Sequence, residues 1–110
     1  MNSVDFEKHS QKLIDHCWNT LFKKSAEYAS DTDRLANFKQ PCSMMGTNPA
    51  QVALWYDMKH IGSMAKIAKD IDEGKLPTKE LLDEKVGDYI NYGLLFYASC
   101  LELISNPPKK

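Results

Sequence analysis

The chain has 110 residues, 43% of them hydrophobic and 26% charged, a balance that excludes an intrinsically disordered polymer and provides for one core. Fourteen Lys and Arg oppose fifteen Asp and Glu, so composition offers no basic surface for gripping a phosphate backbone, and direct nucleic-acid binding is not expected. No apolar run approaches the roughly 18 residues of a membrane span, and the opening MNSVDFEKHSQK has no basic stretch leading into an apolar one. These features point to a cytoplasmic protein with no membrane partner. Cys17, Cys42 and Cys100 lie far apart, and an odd number cannot pair off within one chain, so free thiols are expected.

From Val4 to about Tyr28, Phe6, Leu13, Ile14, Cys17, Trp18, Leu21 and Phe22 recur at helical intervals with charged residues between them. This predicts a long amphipathic helix with Ser3 as its cap. Ala29-Ser30-Asp31-Thr32-Asp33 reads as loop. Leu35, Ala36 and Phe38 suit a short helix that ends before Gln40-Pro41, and Met44-Met45-Gly46 suits a turn with its methionines tucked against the core.

Asn48-Pro49-Ala50-Gln51 combines a capping residue, Pro at the first helical position and Gln at the third. The helix it starts runs to about Glu73, where Gly74 and Pro77 end it. Its core stripe is predicted through Val52, Leu54, Trp55, Met58, Ile61, Met64, Ala65, Ala68 and Ile71. Thr78 caps a last helix from Lys79 to about Ile104, whose apolar residues cover more than one stripe and mark it as the most buried. The resulting fold class is all-α: an antiparallel bundle of three long helices plus a short helix in the connecting loop, one domain over residues 1–105 with a tail at 106–110.

Polar residues on these helices supply the candidate chemistry. Glu84, Asp88, Asn91 and Leu95 share a face of the last helix, and Asp57 and His60 lie three apart on the helix before it. Asp57, Glu84 and Asp88 are the candidate ligands of magnesium, a hard cation held by oxygen donors on facing helices. Asp88 has an alternative, a structural ion pair with Arg34 or Lys59. Arg34 is the sole arginine, and its rigid fork suits a carboxylate or a phosphate. No Gly-rich phosphate loop, nucleophile elbow or catalytic cysteine signature is present, so no catalytic residue is assigned.

The order Lys24, Tyr28, Asp33-Arg34-x-x-Asn37-Phe38, then Lys59-His60-x-x-Ser63, then Glu84-Lys85-x-x-Asp88-x-x-Asn91-Tyr92 resembles small phage and prophage proteins related to the "nucleotide modification associated domain 1" group. The likeness extends from about Lys23 to Leu103. That group is in turn similar in helix layout to the all-α nucleoside triphosphate pyrophosphatases of the MazG and dUTPase type, which hold magnesium with an E-x-x-E pair and a later E-x-x-D pair. Here Lys85 stands three before Asp88, and Asp57 and His60 replace the earlier glutamates.

The resemblance implies a protein that binds, and in its enzymatic form hydrolyses, a nucleotide or nucleotide-like ligand. Tyr28, Arg34, Asn37, Phe38, Lys59, His60 and Asn91 are its expected contacts. The departure at Lys85 supports a rival expectation: a non-enzymatic anti-defence inhibitor or adaptor that binds a host protein. A homodimer through the first and last helices is expected from the spare apolar surface of the last helix.

Overall fold

Each of the three long helices begins at a side chain that accepts an otherwise unpaired backbone N–H. In the computed structural model, which describes residues 1–28 and 33–107 with side chains at 1–23 and 33–107, four α-helices follow one another among the described residues. They are α1 (Ser3–Tyr28), α2 (Ala36–Met45), α3 (Pro49–Asp72) and α4 (Lys79–Ser105). The loop expected at Ala29-Ser30-Asp31-Thr32 and the last residues of the tail lie outside the described residues.

The Asp5 N–H donates to Asn2 Oδ1 at 2.8 Å, so Asn2 rather than Ser3 caps α1. Asn48 caps α3 through the Gln51 N–H at 3.0 Å, and Thr78 caps α4 through the Leu81 N–H at 3.1 Å, both as the sequence indicates. Beyond α3 the chain turns at Gly74, whose φ of 85° falls in the left-handed region that glycine tolerates.

The short helix is longer than expected. α2 continues through Pro41 to Met45 and ends on Gly46 in the left-handed conformation at φ 67°. Pro41 removes one helical hydrogen bond, but Phe38 and Cys42, four residues apart on either side of it, are both buried. That burial, together with a Cys42 thiol that donates to the Lys39 carbonyl at 3.0 Å, offsets the loss. Met44 and Met45 end up exposed on the last turn rather than tucked against the core.

The helices α3 and α4 form an antiparallel hairpin, with His60 level with Asp88 and Tyr56 level with Tyr92. Against it α1 packs on α4 and α2 packs on α3. The core cluster of Leu35, Phe38, Cys42, Val52, Ala53 and Leu95, with Leu21, Tyr92 and Ala98 against it, sits where the four helices approach one another.

The core stripe of α3 is rotated from its expected position. Ala50, Val52, Ala53 and Asp57 are the buried positions, while Leu54, Trp55, Met58 and Ile61 are exposed. On α4 the buried line is Gly87, Asn91, Leu95 and Ser99, and much of the wide apolar face predicted to be buried is open. The molecule is elongated, 51 × 28 × 26 Å, with a Cα radius of gyration of 16.5 Å against about 13 Å for a compact domain of this length.

Candidate functional site

Above the core, between the end of α1, the start of α2 and the middle of the α3–α4 hairpin, opens a cavity of about 360 Å³. Three aromatic rings line it, from three different helices. Phe38 and Tyr56 have ring centroids 6.0 Å apart, Phe38 and Tyr92 6.3 Å, and Tyr56 and Tyr92 6.1 Å, the spacing of mutually tilted rings in van der Waals contact. Arg34, Asn37, Asp88 and Asn91 supply the polar wall.

A charged strap positions Arg34. Lys39 Nζ lies 2.8 Å from Asp33 Oδ2 and 2.6 Å from Glu102 Oε1, and Asp33 Oδ1 also accepts the Leu35 N–H at 3.1 Å. The hydrogen bond from Lys39 holds the Asp33 carboxyl below the ordinary carboxylate range, and its two acidic partners raise Lys39. The segment that carries Arg34 is thereby tied both to α2 and to the far end of α4.

At the back of the cavity Asn91 is 8% exposed, and its Oδ1 receives no hydrogen bond from the described residues. A buried carbonyl oxygen left without a donor costs about 1–3 kcal/mol.

The fold brings Arg34, Asn37, Phe38, Asp88 and Asn91 together as the sequence suggests. His60 adjoins them from α3: its ring centroid is 4.8 Å from that of Tyr92, and its Nδ1 is 3.9 Å from Asp88 Oδ2. The basic group beside Asp88 is thus His60, an ion pair only when its ring is protonated; among the described residues neither Lys59 nor Arg34 forms the ion pair with Asp88 that the sequence offered, though Arg34 shares the cavity with it. Lys59 is exposed and does not line the cavity, and the Tyr28 side chain lies outside the described residues.

The three proposed magnesium ligands do not converge. Asp57 is buried, and desolvation raises its carboxyl above the usual aspartate range against a smaller opposing effect of His60. Glu84 is exposed, 3.6 Å from Lys85 Nζ, while Asp88 turns to His60. Among the described residues no group of three or more His, Cys, Asp or Glu side chains is placed to hold a metal ion.

Sequence reasoning passed over Tyr56 as a site residue and met Tyr92 only within a motif. The available signal was spacing: Tyr56 lies four before His60 and Tyr92 four after Asp88, which puts each ring beside a polar group already singled out. Against known proteins, no family model, no curated protein and no solved structure matches this chain.

Proposed function

We propose that the cavity binds a small molecule with a flat aromatic ring and an anionic group, of the nucleotide type. Its aromatic wall of Phe38, Tyr56 and Tyr92 beside the sole arginine is the observation that carries this reading. A base would stack on the rings, and Arg34 would meet phosphate charge. The reading is one of binding, with no hydrolytic residue assigned. Isothermal titration with a panel of nucleotides, with and without magnesium, tests it: binding that Arg34→Ala abolishes supports the reading, and no heat with any member of the panel overturns it.

A second reading, an adaptor that binds a host protein, is favoured by a different surface. Ile14, Trp18 and Phe22 form an exposed row on α1, with Trp18 and Phe22 edge to face at a 4.6 Å centroid separation. Large exposed aromatic residues in a row are the usual anchors of a protein interface. A stoichiometric host partner lost on Trp18→Ala, with nucleotide binding intact, would assign this row to that role.

A further inference from the structure

The side of the α3–α4 hairpin that faces away from α2 is exposed and apolar, and only its end at Leu82 and Val86 approaches α1. On α3, Leu54, Met58, Ile61, Ala65 and Ala68 recur at intervals of four and three, the spacing of a helix-pairing seam. All five are exposed, with Leu54 at 41%, Met58 at 59% and Ile61 at 45%. On α4, Leu82, Val86, Tyr89, Gly93, Phe96 and Cys100 repeat the same intervals, and each is exposed or half-buried. Leu82 and Val86, at one end of this row, also edge a groove against α1.

The two rows belong to one surface. Each lies roughly a quarter turn past the residues that meet the other helix. Because α3 and α4 are antiparallel, the two quarter turns open to the same side, opposite the side on which the cavity and α2 lie. No charged residue interrupts either row until Asp72.

We propose that this face is the interface of a homodimer, in which two α3–α4 hairpins pack back to back as a four-helix core. Three observations select a second copy as the occupant. A two-fold axis sets a surface against itself, so a charge near the axis would meet its own copy, and these rows carry none. The seam spacing is present on both helices, as a four-helix bundle requires and a single docked helix does not. Leu54, Met58, Ile61, Tyr89 and Phe96 are each between 37% and 59% exposed, a row of large apolar side chains of the kind that an interface core buries. The interface lies on α3 and α4 rather than on the expected α1 and α4, and it leaves the ligand cavity open on the other side.

Light scattering on the purified full chain at micromolar concentration should give twice the 12.5 kDa chain mass. The double variant Met58→Glu with Ile61→Glu should halve that mass, and Trp18→Glu on α1 should leave it unchanged. A spin label at Lys69→Cys, an exposed position beside the seam rather than in it, in a Cys100→Ala background, should show dipolar coupling between molecules. Wild-type chain that is monomeric throughout the micromolar range overturns the proposal. So does a dimer that Trp18→Glu dissolves, or one whose Lys69 labels show no coupling.

Discussion

The thiol of Cys17 donates to the carbonyl oxygen of Gly87 at 3.8 Å, a weak hydrogen bond that joins the middle of α1 to α4. Cys17 is 2% exposed, and burial, followed by the charge of Asp88, holds its thiol above the ordinary cysteine value. It is an inert packing group rather than a reactive one.

A Cβ added at Gly87 would lie 3.4 Å from Cys17 Sγ, an ordinary contact. Gly87→Ala is therefore expected to stabilise the protein by about 0.5–1 kcal/mol through helix propensity. Gly87→Leu would force α1 away and lower stability by about 1–3 kcal/mol. Denaturant titration of the two variants against wild type checks both signs.

Asp57 makes stability depend on pH. Its folded-state carboxyl is raised by burial, so the folded protein holds the proton more tightly than the unfolded chain does. Stability then falls as pH rises from the ordinary aspartate range through the raised folded value, and is highest on the acid side of that window. Asp57→Asn should melt higher than wild type at pH 7 and should flatten this part of the profile. A melting temperature for Asp57→Asn that falls below wild type at pH 7 would contradict it.

The Asp88 to His60 pair spans 3.9 Å, with the Asp88 side chain 29% exposed. A deeply buried partner of a basic residue would cost about 3–5 kcal/mol to break. A long, partly solvated pair is worth at most about 1 kcal/mol. Thermal melts of Asp88→Asn in chelator should therefore show a drop of only a few degrees.

Asn91 separates stability from binding. Asn91→Leu removes the unpaired buried oxygen, and thermal stability should stay level or rise by about 1 kcal/mol. Asn91 lines the cavity, so a bulkier apolar leucine there should also lower nucleotide affinity in isothermal titration. A large loss of stability would instead assign Asn91 a purely structural role.

Caps made the long helices legible in the sequence. Asn48-Pro49 and Thr78 each mark a helix start within a residue, because a side chain that satisfies a backbone N–H is a local event. Burial was less legible, because apolar periodicity does not say which partner an apolar stripe meets. On α3 the stripe through Leu54, Met58 and Ile61 is regular but faces outward, and Asp57 is inside. The site was half readable: Arg34, Asn37 and Asn91 stand out by residue type, whereas Tyr56 becomes a wall of the cavity only when α2 packs beside it.

The hydrogen bond between Cys17 and Gly87 joins residues 70 apart in the chain, whereas the α3–α4 hairpin closes over the short turn after Asp72. Closing the longer loop costs more chain entropy than closing the short one. During folding the hairpin can therefore form first and α1 dock onto it afterwards. In native-state hydrogen exchange, α1 would be the first helix to open and the core of α4 the last.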